Sequence, residues 1–325
     1  MPINKKINPF LKTNTDTGFG SNPNSVGGRF INKDGSFNLK REGVPFFRRI
    51  GVYQRMLSLP MWRFILVILA FYFVINIVFT GIYLFMGYDQ LDGMIADTPW
   101  ERIKEVFYFS TQTFTTLGYG RINPRGDGAN IVSSLEALTG FLSFAIATGL
   151  IYGRFAKPKA YLQFSHMAVI CPFKGKTALM FRFATYKDNH TLTNVEIKVN
   201  IALMVEENGH QEYRFYDLVL ERTKVDSLPM NWTVVHAIDE NSPLIGLNKE
   251  DIAAADVELY VLITGFDEVY SSPVLQRTSY TYKEMVFDAK FIPMYRESTD
   301  GQTTILEMHK INETKDVRSH GEDKL

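Results

Sequence analysis

Phe64 to Met86 contains no charged residue. An apolar helix of about 20 residues is long enough to cross a hydrocarbon layer of about 30 Å. Trp62 and Arg63 supply an aromatic and basic anchor at its start,. A second apolar run, from Ala129 to Gly153, has Glu136 as its one charged residue. Between the two lies a helical segment too short to span. Thr98 is placed to cap it, Pro99 suits its first position, and Glu101 completes a capping box,. The spacing predicts a helix to about Thr113, with Val106, Phe107, Phe109 and Ser110 near its buried side. A capped helix of that length between two spans predicts a re-entrant half-helix.

The residues after it are Thr115, Thr116, Leu117, Gly118, Tyr119 and Gly120. Within a membrane, irregular backbone survives only where protein surrounds it or where it lines a pore. Two glycines permit unusual dihedrals, so that carbonyls can point one way. Carbonyls from Thr116, Leu117, Gly118 and Tyr119, with the Thr116 hydroxyl, can replace the water shell of a K+ ion. The loop resembles Thr-Val-Gly-Tyr-Gly, the known potassium-filter pattern. One loop supplies one quarter of such a ring, and the chain is therefore expected to form a homotetramer. The carbonyl end of the half-helix would favour a cation at the membrane interior.

The two spans set the rest of the organisation. Arg48, Arg49, Arg55 and Arg63 precede the first, and Arg154, Lys157 and Lys159 follow the second. This asymmetry predicts a multi-pass protein of the cell inner (plasma) membrane with both termini cytoplasmic. Residues 1–45 read as a flexible tail, rich in Asn, Gly, Ser and Thr from Asn14 to Gly35. Residues 46–59 read as an interfacial amphipathic helix, with Phe47, Ile50, Tyr53 and Leu57 on one face. Residues 60–156 form the pore domain, with spans at 62–86 and 129–155, the half-helix at 98–114 and the filter at 115–120. Residues 157–304 read as a β-sandwich, with strands expected at 166–171, 178–183, 195–205, 213–220, 233–237, 257–264 and 279–287. Asn208-Gly209 is a hairpin signal. Residues 305–325 read as a polar, disordered tail. In the second span, Ala145, Gly149 and Gly153 recur every four residues, which suits close helix packing.

Other chemistries are excluded. Lys and Arg number 35 against 35 for Asp and Glu, so no net field points to nucleic acid,. The single cysteine, Cys171, excludes an intrachain disulfide and a cysteine zinc site,. Gly175-Lys176-Thr177 ends like a phosphate loop, but Ile170 stands where that motif needs glycine,. No triad or nucleotide fingerprint is present. The chain is expected not to be an enzyme and to use no organic cofactor.

The filter, the two-span frame and the tail resemble inward-rectifier potassium channels, particularly prokaryotic members. His236-Ala237-Ile238-Asp239-Glu240-Asn241-Ser242-Pro243-Leu244 and Arg277-Thr278-Ser279-Tyr280 resemble two further signatures of that family. The resemblance implies an immunoglobulin-like cytoplasmic domain forming a tetrameric vestibule. It places Gln112 and Glu136 behind the filter, although Glu136 could instead reach the outer headgroups. Phe144, Thr148 and Tyr152 share a helical face and resemble cavity- and gate-lining positions, the alternative being plain helix packing. Mg2+ and polyamines are the blockers that the family implies. Phe144 stands where strong rectifiers carry aspartate, which implies weak block from this site. Trp62, Arg63, Arg154, Lys157 and Lys159 resemble an anionic-lipid site, the alternative being charges that set topology alone. Gly265, Asp267 and Glu268 fall at a second, cytoplasmic constriction, the alternative being an ordinary hairpin loop. Two rival functions remain: a tethered binding module and a poorly selective cation channel.

Overall fold

The computed structural model describes residues 8, 11–14, 29–45, 51–188, 190–207 and 210–317. The chain divides into two compact units, Glu42–Lys157 and Met1–Arg41 with Pro158–Leu325.

The first unit is helical. A short helix α1 (Val52–Ser58) is followed by α2 (Met61–Met86), α3 (Pro99–Phe114) and α4 (Gly126–Phe155). Both α2 and α4 are long and apolar enough to cross a membrane. Of the amphipathic stretch, Phe47, Arg48, Arg49 and Ile50 lie outside the described residues. A two-residue ribbon pairs β1 (Leu91–Asp92) with β2 (Asn123–Pro124), closing the chain around α3. Gly93 is required there: a Cβ would sit 1.8 Å from the Arg121 carbonyl oxygen.

The second unit is built from two sheets. One contains β6 (Leu192–Glu207), β7 (His210–Asp217), β8 (Lys224–Ser227), β10 (Glu258–Asp267) and β11 (Ser272–Thr281), in the order β11-β10-β6-β7 with β8 also on β6. The other contains β3 (Leu162–Phe164), β4 (Ala168–Phe173), β5 (Lys176–Thr185), β9 (Trp232–Ile238) and β12 (Met285–Phe287). Pairing is antiparallel throughout except between β12 and β4. Leu179, Phe181 and Phe183 of one sheet and Val195, Ile197, Leu259 and Ile263 of the other share one core. The short helix α5 (Lys249–Ala254), capped by Asn248, adds Ile252 to it. Asn208 and Gly209 lie outside the described residues, while the flanking Glu207 and His210 pair across the ladder.

Three expectations are corrected. The stretch 279–287 is not one strand: β11 ends at Thr281, a 3-10 turn (Tyr282–Glu284) follows, and β12 then pairs parallel with β4. The chain after Ile305 is ordered through Val317. Here β13 (Ala289–Phe291) pairs with β16 (Thr314–Asp316), and β14 (Tyr295–Glu297) pairs with β15 (Thr304–Leu306). The reason is that β5 is buried on both faces. Ala178 and Met180, opposite the main core, pack with Ala289 and Phe291. Residues 29–38, finally, are a strap rather than a free tail. Arg29 grips Glu284 through two nitrogens at 3.0 and 3.2 Å, Ile31 is buried, and Gly35 lies against the Arg277 carbonyl.

Arg182 fixes the outer layer. Its guanidinium is fully enclosed and donates to the carbonyls of Ile311 (2.8 Å), Ile292 (2.6 Å), Lys310 and Glu313 (3.3 Å). The Phe291 ring lies 4.5 Å away. Burial pushes its pKa down to about 10, so it stays charged at neutral pH. Replacing Arg182 with Met leaves buried carbonyls unpartnered, each worth roughly 1–3 kcal/mol. Limited proteolysis should then cut between Ile292 and Val317 at least tenfold faster, and unchanged cleavage would count against this clamp.

Under the strap, Glu258 accepts from the Phe30 N–H (3.3 Å) and the Tyr260 hydroxyl (3.0 Å), and its other oxygen has no hydrogen-bond partner among the described residues. Burial raises its pKa. The closed strap therefore binds a proton more tightly than an open one would, and closure gains stability as pH falls toward the ordinary carboxylate range. Amide protection at residues 29–31 should rise on acidification from pH 7, and Glu258→Gln should flatten that response.

Candidate functional site

The end of α3 organises the first unit. Its start is fixed by the capping box: Thr98 Oγ1 accepts from the Glu101 N–H at 3.3 Å, and the Glu101 carboxylate accepts from the Thr98 N–H at 3.2 Å. At the other end the chain turns back on the helix. The N–H groups of Thr116, Leu117 and Gly118 donate to the carbonyls of Thr113 (3.0 Å), Gln112 (2.8 Å) and Gln112 again (3.4 Å). The backbone then alternates in hand. Thr116, Gly118 and Gly120 have φ of 58°, 56° and 83°, while Leu117 and Tyr119 between them do not enter the positive region. Glycine makes two of these positions easy. Thr116 is held there at a cost of about 1 kcal/mol or more, and its hydroxyl donates to the Thr115 carbonyl at 2.7 Å.

The loop is anchored beyond Gly120. Asn123 Nδ2 donates to the Gly120 carbonyl at 2.9 Å. Arg121 pairs with Glu105 at 2.7 Å, and Glu105 also accepts from the Ile95 and Ala96 N–H groups at 3.1 and 3.3 Å. An open pocket of about 360 Å3 lies beside the loop, lined among others by Gln112, Thr116, Gly118, Ser133 and Ser134. Leu117 and Tyr119 are 56% and 76% exposed on the single chain. Gln112 contributes its main-chain carbonyl to the loop, as above, rather than its side-chain amide.

Glu136 is fully enclosed on α4 and joins all three long helices. One oxygen accepts from Ser110 Oγ of α3 at 2.5 Å, and the other accepts from the Tyr83 hydroxyl of α2 at 2.7 Å. Ser110 also touches Asn76 Oδ1 at 3.1 Å, and Thr80 donates to the Asn76 carbonyl at 2.7 Å. Glu136 thus holds the half-helix, and not the loop itself or the headgroup region. Sequence reasoning missed Asn76, Tyr83 and Gly140. An Asn inside a charge-free span was the available signal for the first. Gly140 allows α4 to touch the end of α3, where a Cβ would stand 1.8 Å from the Phe114 carbonyl oxygen. Close approaches on α4 also fall at Gly128, which faces the Met86 side chain, and at Gly153, which faces the Tyr53 hydroxyl, while Gly149 has open space.

Phe144, Thr148 and Tyr152 are all exposed on one face of α4, and Thr148 donates to the Phe144 carbonyl at 2.9 Å. Of the basic group, Arg154 is committed within the unit. It donates to the carbonyls of Met56 (3.3 Å), Leu57 (3.4 Å) and Leu59 at the end of α1, and lies over the Phe64 ring. Arg63 stacks on the exposed Trp62 at 4.9 Å, and Lys157 is exposed. Lys159, also exposed, belongs to the second unit.

The expected cytoplasmic constriction is corrected at Asp267. Its carboxylate is fully buried, and Oδ1 accepts from the Val269 N–H (2.9 Å) and the Tyr270 N–H (3.2 Å), tying the β10–β11 turn. An Asp that closes a hairpin turn and one that lines a pore have the same sequence appearance. Gly265 is buried at a register shift between β10 and β6, and Glu268 is exposed. The two tail signatures are structural supports. His236 is buried between the Val219 carbonyl and Ser242 Oγ, each at 2.7 Å. Ser279 and Tyr280 are buried in β11.

Comparison with known proteins bears on both units. Residues 61–157 match the ion channel family model, and residues 162–322 match the inward rectifier potassium channel C-terminal domain. Inward rectifier potassium channel Kirbac3.1 of Paramagnetospirillum magnetotacticum is 33% identical over 289 residues, covering 88% of this chain and 95% of its own. Inward rectifier potassium channel 4 of Homo sapiens and that of Mesocricetus auratus are each 30% identical over 220 residues, or 64% of this chain and 49% of theirs. With both units matched in order and a relative aligned over nearly its whole length, the chain belongs to the inward rectifier potassium channel family, whose members are membrane-embedded ion channels and not enzymes.

Proposed function

We propose that four copies of this chain assemble around an axis and conduct K+ through a filter formed by Thr116 to Gly120. The observation that carries this reading is the loop after α3. The N–H groups of Thr116, Leu117 and Gly118 are taken up by the helix end and the backbone alternates in hand, while among the described residues no hydrogen bond occupies the carbonyls of Thr116 to Tyr119. Such carbonyls replace an ion's hydration shell. Leu117 and Tyr119, bare on one chain, are the side chains a neighbouring copy would cover in the ring. Leu117 in place of valine alters the packing behind the filter and not its carbonyls.

The remaining parts follow from that axis. The exposed face of Phe144, Thr148 and Tyr152 lines the cavity below the filter, with Tyr152 as the gate. Arg63 and Lys157, with Trp62, meet anionic lipid phosphates, and Arg154 instead secures the helix that precedes α2. The second unit is an immunoglobulin-like cytoplasmic domain, with both termini cytoplasmic in the inner membrane. Of the suggested constriction residues, Glu268 alone presents a carboxylate to solvent. The domain limits proposed from sequence, 46–59, 60–156 and 157–304, carry two changes: the strap at 29–38 joins the second unit, and the outer strands carry that unit on to Val317.

A potassium-over-sodium flux ratio in liposomes separates this reading from a tethered binding module and from an unselective cation channel. Gly118→Ala forces a side chain into φ of 56° and should reduce potassium flux at least tenfold,. Flux should be lost while the variant still elutes as an oligomer, and undiminished flux would refute the filter. A second measurement addresses the cavity. Cytoplasmic spermine should block the native channel weakly, and Phe144→Asp, by adding a carboxylate, should strengthen block by at least tenfold. Strong native block that Phe144→Asp does not increase would remove Phe144 from the cavity.

A further inference from the structure

Glu105 of α3 holds two other stretches of the first unit at once. Its Oε1 accepts from Arg121 Nη1 at 2.7 Å, and its Oε2 accepts from the N–H groups of Ile95 and Ala96 at 3.1 and 3.3 Å. Arg121 directly follows Gly120, and Ile95 and Ala96 lie in the connection that leads into α3. The Glu105 side chain is 12% exposed, whereas that of Arg121 is 48% exposed. A half-exposed ion pair contributes little by itself. Here the same enclosed carboxylate also partners two main-chain donors, and removing it strands all three.

The stretches that Glu105 joins are fixed to each other as well. The Arg121 carbonyl lies against Gly93, and the Arg125 N–H donates to the Gln90 carbonyl at 2.7 Å. Arg102, one turn before Glu105, donates to the Ala96 carbonyl at 3.3 Å. Ile122, next to Arg121, is buried with Leu91, Val106 and Phe109. The chain leaving the loop is thus tied to α3 through Glu105, and to the connection before α3 through main-chain contacts.

We propose that Glu105 is a positioning residue for ion selectivity, fixing the far end of the loop to the same helix that fixes its near end. At the near end, the Gln112 carbonyl receives the Leu117 and Gly118 N–H groups. Glu105 stands seven residues before Gln112, two turns earlier on the same face of α3,. Seven helical residues rise about 10 Å, and the chain from Gly118 to Arg121 reaches about 10 Å at most. The loop therefore climbs one face of a single rigid helix between two fixings, with Tyr119 and Gly120 between them. Asn123 adds a hold on the Gly120 carbonyl at 2.9 Å, but it is carried by β2, on the chain that Glu105 secures. Carbonyl coordination separates K+ from Na+ through cavity size or through the number and strength of the dipoles, and both depend on where the backbone is held. The inference rests on the reading of Thr116 to Gly120 as the filter.

The test is the potassium-over-sodium permeability ratio of the full-length protein in liposomes, for the native chain, Glu105→Gln, Arg121→Gln and the double variant. Glu105→Gln keeps the side-chain length, but its amide nitrogen must face either Arg121 or the Ile95 and Ala96 N–H groups, donor against donor. The ratio should fall at least tenfold in Glu105→Gln and at least threefold in Arg121→Gln. The double variant should be no less selective than Glu105→Gln, because both changes break one link. An Arg121 charge left bare repels both cations alike, so it lowers flux and leaves the ratio to report geometry. Native selectivity kept in both single variants, or losses that multiply in the double variant, would overturn the brace and leave the filter standing. A native chain that passes both cations equally would overturn the two together. Elution as the native oligomer checks assembly. If Glu105→Gln does not assemble, Arg121→Gln alone decides, and an unchanged ratio there overturns the proposal.

Discussion

A polar backbone inside hydrocarbon has nowhere to turn but to itself, and the first unit is shaped by that limit. Helices α2 and α4 satisfy it internally. The loop from Thr115 to Gly120 cannot, because it is not helical. It satisfies the limit in part: the N–H groups of Thr116, Leu117 and Gly118 return to Thr113 and Gln112 at the end of α3, and the end carbonyls of Thr115 and Gly120 take the Thr116 hydroxyl and Asn123, while among the described residues those between are not hydrogen-bonded. A loop of uniform hand would spread both kinds of group around the chain. The alternation at Thr116, Gly118 and Gly120 separates them. The proposed filter is therefore the remainder of an incomplete hydrogen-bond account, and a cation is the partner able to complete it.

That separation requires α3 to stay in place, and polar groups hold it there. Glu136 receives the Ser110 and Tyr83 hydroxyls and so ties α4 to α3 and α2. In water such a network would be worth little, but in an apolar unit each broken bond exposes a group with no substitute. Gly140 contributes by what it lacks, since any side chain there would push the end of α3 from α4. The carboxylate within the second span is best read as a structural fastener of the half-helix.

Much of this was legible in the sequence, for identifiable reasons. The apolar runs and the Thr98-Pro99-Glu101 box are local signals, and each depends on residues within one turn or one span. The capping box appears with both of its hydrogen bonds. What escaped reading depended on distant partners. Residues 29–38 look like a polar tail until Glu284, Ser279 and Arg277 are beside them. The segment beyond Ile305 looks soluble until the outer face of β5 needs a cover. Asp267 was legible as a carboxylate in a loop, but its direction depended on the Val269 and Tyr270 amides. Gly140 was hidden among the other small residues of α4, because the Phe114 carbonyl that selects it lies 26 residues earlier in the chain.

The two units meet one chemical problem in two ways. In the second, four main-chain carbonyls converge on Arg182, whose guanidinium the chain supplies permanently. That cation cannot leave, and the result is a fixed outer layer. In the first, the proposed filter would gather carbonyls without any cation supplied by its own loop. A permanent charge there would neutralise the site and block it. Conduction needs binding strong enough to strip water from an ion and weak enough to release it. The proposed filter would meet both conditions with carbonyl dipoles alone, because no side chain among Thr115 to Gly120 is ionised and Arg121 anchors the loop's end through Glu105.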